Sequence, residues 1–255
     1  MKRSGNTILI TGGGSGIGEA LAHRFHDQGN TVIVAGRRME ALEQACAGRA
    51  NMHALTLDID SADGVKDFAA RAIAEHPALN VVIHSAGIMR FEVLDQSRDL
   101  ADAEATIATN LLGPIRLTDA LIDHLVTQSD AAIVTVTSGL AFVPLLTTPT
   151  YNATKAAIHS YTVSLREVLK GRAEVIELAP PAVQTGLTPG QENRPGYQPL
   201  DEFADEVMAL FNQQPTPSEI LVERVKFLRN AEAEGRFDAT VTQLNDFAKA
   251  AREGQ

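Results

Sequence analysis

The strongest constraint on this chain is an alternation. Short, continuously apolar runs recur between longer stretches whose apolar residues fall at helical spacing. Thr7-Ile8-Leu9-Ile10-Thr11, Thr31-Val32-Ile33-Val34-Ala35, His53 to Leu57, Val81-Val82-Ile83-His84, Ala132-Ile133-Val134-Thr135-Val136 and Val175-Ile176-Glu177-Leu178 read as strands. Apolar runs without polar alternation suit strands covered on both faces, as in parallel sheets. Ile17, Leu21 and Phe25 mark a helix that Gly29-Asn30 ends, and further helices are predicted over about 39–47, 65–73, 100–126 and 149–170. Such alternation with short connections predicts an α/β fold: a single-domain doubly wound parallel sheet of six or seven strands spanning 1–255.

Two regions break the pattern. Residues 181–203 are rich in Pro and Gly and read as a long loop, with a substrate-binding role expected for about 186–205. After about Pro217 the tail reads as two helices, one marked by Leu221, Val225 and Leu228, the other by Val241, Leu244 and Phe247 behind a possible Asp238 N-cap. No further strand is visible in this helical C-terminal tail.

Composition narrows the function classes. With 22 Lys+Arg against 32 Asp+Glu the formal charge is −10, the wrong sign for a protein that neutralises nucleic-acid phosphates. No apolar run is long enough to span a bilayer. One cysteine, Cys46, excludes an internal disulfide and a multi-cysteine zinc site, and the seven histidines show no metal-ligand spacing. The expectation is a cytoplasmic protein with no metal, no membrane partner and no nucleic-acid partner.

Chemistry begins at Thr11-Gly12-Gly13-Gly14-Ser15-Gly16-Ile17-Gly18, where the first strand meets the first helix. Glycines there allow a sharp turn and close approach of the backbone to a diphosphate, while the helix start offers free N–H groups. The position is that of the phosphate-binding turn of a Rossmann fold. The spacing Gly-x3-Gly-x-Gly over Gly12, Gly16 and Gly18 differs from the usual Gly-x-Gly-x2-Gly.

That spacing, led by Thr11, resembles the short-chain dehydrogenase/reductase family. Tyr151-Asn152-Ala153-Thr154-Lys155 resembles its Tyr-x3-Lys signature, Ser138 lies thirteen residues before Tyr151, and Asn110 in Thr109-Asn110-Leu111 matches its asparagine. These matches span about residues 7–185. The resemblance implies catalytic roles for Asn110, Ser138, Tyr151 and Lys155, with Lys155 also holding the nicotinamide ribose and Asn110 a proton-relaying water. It implies cofactor contacts at Gly12, Gly14, Ser15, Gly16, Ile17 and Gly18. It implies others at Asp58, Ile59, Ser85, Ala86 and Gly87, and at Pro181, Val183 and Thr185. His84-Ser85 replaces the family's Asn-Asn, and Pro181 replaces a glycine. For His84 a structural hydrogen-bonding role is expected.

The same residues can be read without the family. Tyr151 and Lys155, four apart on a helix, share a face. A lysine cation beside a phenol lowers its pKa from about 10, making a general acid in reduction and a base in oxidation. Ser138 can donate a hydrogen bond to an oxygen that gains charge as hydride arrives. At the end of the second strand, Gly36 stands where an acid would favour NAD, and Arg37 and Arg38 follow. Guanidinium groups match a 2′-phosphate, so NADP (NADPH) is the expected cofactor; the alternative is that the two arginines open a solvated helix. The overall expectation is an oxidoreductase moving hydride between NADP(H) and the carbonyl or secondary alcohol of a small, neutral, fairly apolar substrate. Its walls would be drawn from Met89 and Phe91 and from Gly139, Leu140, Phe142, Pro144, Leu145 and Thr148. The alternatives are an NAD-dependent alcohol dehydrogenase and a non-catalytic dinucleotide-sensing regulator. A homodimer through the helices near 102–126 and 152–169 is expected from the resemblance.

Overall fold

The computed structural model describes residues 1–253, with side chains placed through residue 250. Each apolar run forms a strand, β1 (Thr7–Thr11), β2 (Thr31–Gly36), β3 (Met52–Thr56), β4 (Leu79–His84), β5 (Ala132–Val136) and β6 (Glu174–Leu178), and a short β7 (Glu219–Ile220) follows. All neighbours pair in parallel, in the order β3-β2-β1-β4-β5-β6-β7. Consecutive residues point to opposite faces, and two apolar layers result. Ile8, Ile10, Val32 and Val34 join one with α1 (Gly16–Asp27), while Leu9, Ile33, Val82 and Ile133 join the other with α3 (Ala62–Glu75) and α5 (Gly113–Leu125). Both sheet faces are covered, so the unbroken apolar runs are explained.

Strand order reverses between β1 and β4, which opens a crevice at their carboxyl ends. The opposite ends are sealed by three asparagines: Asn30 Oδ1 accepts from the Asn6 backbone N–H, Asn80 Oδ1 from that of Thr7, and Asn80 Nδ2 donates to Asn6 Oδ1. The helical stretch from 101 proves to be three pieces: α4 (Ala101–Ile107), a wider π-helical turn at Ala108–Leu112, and α5. α2 (Met39–Cys46) follows β2, and α6 (Pro149–Val168) begins with proline at a position where its missing N–H costs nothing.

Three expectations are corrected in the C-terminal third. The substrate loop does not reach 203 or 205, because α7 (Leu200–Phe211) starts directly after Pro199. Phe203, Ala204, Val207, Met208 and Phe211 form its buried stripe, and Phe211 meets Phe25 of α1 edge-on at 5.5 Å; helical periodicity outweighed the Pro- and Gly-rich approach. A seventh strand does exist: β7 extends the sheet through Glu177 and Leu178 opposite Glu219 and Ile220, too short for an apolar run to reveal. Leu221 therefore precedes α8 (Glu223–Arg229), and Asp238 is the second residue of α9 (Phe237–Glu253) rather than its cap. Among the described residues no helix is long and apolar enough to cross a membrane.

Candidate active site

At the crevice a cleft of about 320 Å³ opens over the ends of β1, β2 and β4. Gly12, Gly14, Ser15, Arg37, Arg38, Ile59, Ala86 and Gly87, all singled out by sequence, line it. Gly12 has φ of +69°, and a Cβ there would stand 2.9 Å from the Ala86 Cα, so no other residue fits both the turn and the contact. Thr11 locks the two loops together, its hydroxyl oxygen accepting from the N–H groups of Ser85 and Ala86 at 3.1 Å each. Gly16, Ile17 and Gly18 form the first turn of α1 behind this wall, and the Ser15 side chain makes no capping bond, leaving the helix's N–H groups free. This glycine cradle fits a dinucleotide's diphosphate. Arg37 and Arg38 are exposed on the cleft wall, and among the described residues neither forms a salt bridge.

Asp58 is placed differently from expectation. In the extended run Leu57-Asp58-Ile59 its side chain points outward while both neighbours are buried. The carboxylate accepts from the Asp60 N–H at 3.2 Å. Asp60 lines the cleft instead, accepting from the Thr109 hydroxyl at 2.7 Å. Ser85 is not among the cleft walls; its N–H is used by Thr11.

The proposed catalytic side chains converge beside Gly87. A Cβ on Gly87 would lie 3.3 Å from Asn110 Oδ1 and 3.8 Å from Lys155 Nζ. Asn110, on the π-helical turn, exchanges two hydrogen bonds with the Ile88 backbone, accepting from its N–H and donating to its carbonyl, both at 2.8 Å. Lys155 Nζ donates to the Val136 carbonyl at 2.8 Å and stands 5.5 Å from the centre of the Tyr151 ring. Tyr151 hydrogen-bonds with Ser138, whose oxygen accepts from the Leu140 N–H.

Burial corrects the expected proton balance. Desolvation pushes the Tyr151 phenol up to about 12, the Ser138 hydrogen bond opposing this only in part, and brings the Lys155 ammonium down to about 8. Lys155 is spent on a backbone carbonyl rather than on the phenol oxygen, so the predicted lowering of the tyrosine is not seen. His84 fills a structural place as expected: it is buried, its Nε2 meets the Thr118 hydroxyl at 2.9 Å, and desolvation drops its pKa to about 4.

Sequence reasoning missed Glu92 and Gln191. The buried Glu92 carboxylate accepts from the Thr150 N–H at 3.1 Å, the Thr150 hydroxyl at 2.8 Å and Arg98 at 2.9 Å, capping α6 one residue before Tyr151. An acid in an irregular segment carries no signal of that partner. Gln191 Nε2 donates to the Val183 carbonyl and to the Thr185 hydroxyl. Val183 and Thr185 are buried and Pro181 partly so, on the loop after β6. Of the expected substrate walls, Gly139 is packed against Val225 and Leu228, and Phe142 lies between Arg229 and His159. Thr148 is fully buried.

The sequence matches the short chain dehydrogenase family over residues 6–195. The chain is a short-chain dehydrogenase/reductase. It is 37% identical over 249 residues to the uncharacterized oxidoreductase DltE of Bacillus subtilis, covering 96% of this chain and 98% of that one. In three dimensions it resembles an alcohol dehydrogenase from the archaeon Thermococcus sibiricus complexed with 5-hydroxy-NADP. The TM-score is 0.75 at 25% identity, over 85% of this chain and 95% of that one. It also resembles a 3-ketoacyl-(acyl-carrier-protein) reductase from Brucella melitensis complexed with NADH, with TM-score 0.76 at 25% identity over 84% and 94% of the chains. A short-chain dehydrogenase from Streptomyces avermitilis shares the fold over 99% of both chains, with TM-score 0.79 at 22% identity. As a short-chain dehydrogenase/reductase the chain is an oxidoreductase of a nucleotide-binding Rossmann fold.

Proposed function

We propose that this oxidoreductase uses NADP(H) and interconverts a carbonyl and a secondary alcohol on a small, neutral, fairly apolar substrate. The observation that carries the reading is the convergence of Ser138, Tyr151 and Lys155 at one end of a glycine-lined cleft whose other end presents Arg37 and Arg38. Two guanidinium groups that form no salt bridge among the described residues, beside Gly36, favour a 2′-phosphate by charge and bidentate geometry. When bound, the dinucleotide supplies or accepts the hydride. Tyr151, with a phenol held protonated across neutral pH, gives its proton to the carbonyl oxygen in reduction. Ser138, whose oxygen accepts from Leu140, has its hydroxyl proton to donate to the carbonyl oxygen once substrate is bound. Asn110 clips Ile88 with its amide beside Lys155, and its part in the reading is to hold a proton-relaying water there.

The reading includes one domain for the whole chain, a cytoplasmic location, and a homodimer through α5 and α6, whose outer faces and the adjoining π turn expose Leu112, Val163 and Val168. Light scattering checks the dimer. The principal experiment is a panel of aldehydes, ketones and secondary alcohols followed by nicotinamide absorbance with both cofactors. Turnover with NADPH well above that with NADH is expected, and equal use of the two would defeat the cofactor assignment.

A further inference from the structure

We infer that Gln191 is a positioning residue for the dinucleotide: its carboxamide holds the Thr185 hydroxyl as a donor aimed at the start of α1 and ties the substrate loop to that anchor. The inference rests on the dinucleotide reading above. Gln191 opens a short turn at Gln191–Asn193 and is only 5% exposed. Its Nε2 donates to the Val183 carbonyl at 2.9 Å and to Thr185 Oγ1 at 3.2 Å, while its Oε1 accepts from the Thr188 hydroxyl at 2.8 Å. Both amide protons are used, so the group has one stable orientation rather than two.

The consequence falls on Thr185. Its Cβ lies 3.6 Å from where a Cβ on Gly16 would stand, beside the uncapped first turn of α1. A hydroxyl has one proton and two lone pairs, and an amide NH₂ can only donate to it. With a lone pair committed to Gln191, the Thr185 proton must turn elsewhere and becomes available to an anionic or carbonyl oxygen at that helix start. Without Gln191 the hydroxyl is free to spend its proton on the Val183 carbonyl that the amide has released. The same amide fastens the loop carrying Gln191 to Val183 and Thr185, so loop position and hydroxyl direction are set together.

Fluorescence titration with NADPH and with NADH, in the absence of any substrate, tests this. Gln191→Leu should weaken both dinucleotides alike, by about tenfold, which corresponds to ~1.4 kcal/mol. Thr185→Val should weaken both as well, and Thr185→Val/Gln191→Leu should be no worse than Thr185→Val alone, because the amide acts through the hydroxyl. Gln191→Glu keeps the size but offers acceptors, draws the Thr185 proton back, and gives a second route should the leucine variant fail to fold by circular dichroism. Additive losses, unchanged affinities, or tighter binding, which would make Gln191 a plug, would each overturn the role. A wild-type chain that bound neither dinucleotide would instead overturn the cofactor reading and this inference with it.

Discussion

The dinucleotide end of the cleft and its substrate end are held in shape by different means. At the first, Thr11–Ser15, Gly36–Arg38 and Ala86–Ile88 leave fully buried parallel strands, and within two or three residues they reach the cleft. Backbone pairing and a positive-φ glycine set that wall. At the second, segments 89–100, 139–148 and 181–199 run far from their strands and are pinned by side chains and an isolated backbone bridge. Glu92 bonds Thr150 across 58 residues, Asn245 bonds Pro144 across 101, and Gln198 meets Val183 through an isolated bridge. Walls of the first kind are constrained by local geometry and serve any dinucleotide enzyme. Walls of the second kind can be rebuilt one side chain at a time, and the proposed function puts substrate choice there.

The largest test lies where the two ends meet. Tyr151→Phe removes the proton donor and leaves both walls standing, so turnover should fall by about 10²- to 10⁴-fold with dinucleotide affinity kept. Steady-state rates on the best substrate check this, and retention of more than about a tenth of wild-type turnover would place the acid elsewhere.

His84, at the strand end between the walls, probes how firmly the first kind is fixed. Its folded pKa of about 4 lies below the ordinary 6.5. Above about pH 6.5 both states are neutral and stability is unaffected. As pH falls from 6.5 toward 4 the unfolded chain takes up the proton first, so stability is lost. Between pH 6.5 and 5 this amounts to about 1.5 kcal/mol. Urea unfolding at both pH values should show that loss in the wild type and less of it in His84→Asn; an identical pH slope would mean the buried ring is not the cause.

Arg37→Ala tests the cofactor wall alone. Losing charge-assisted bonds to a phosphate should weaken NADPH about tenfold to a hundredfold and hardly touch NADH. Equal losses for both would make Arg37 a structural residue. The gentlest test concerns the second wall. Hydrogen exchange across 186–197 should be fast in the free enzyme and slow when NADP and a substrate analogue are both bound. The Gln184 and Gln198 amides, already bonded at the loop base, should be slow throughout. If ternary binding left 186–197 unchanged, the loop would be a connector rather than a lid.

The same division explains what was legible in the sequence. Parallel strands, the glycine turn, Arg37 and the spacing of Ser138, Tyr151 and Lys155 are local patterns, and the structure brings them to one crevice. α7 was hidden behind Pro199 although its apolar spacing was helical, and β7 has only two residues. Asp58 and Asp60 could be told apart only by the alternation of an extended chain that begins where β3 ends. Glu92 and Gln191 depend on partners that no spacing announces. The tyrosine's proton affinity followed burial, a property of the packed site rather than of a lysine four residues away.

The π-helical turn at Ala108–Leu112 has a consequence for how this chain tolerates insertions and deletions. Gly113 donates to Ala108, five residues back, where an ordinary helix would bond four back. The stretch from α4 to α5 thus carries one residue more than its turns require. Removing one residue from this turn would restore regular winding with α4 and α5 still in phase, instead of the rotation by about 100° that a deletion from a regular helix brings. A three-nucleotide deletion in the gene here would be accommodated by the helix but not by Asn110, whose place on the wide turn and whose bonds to Ile88 it would remove.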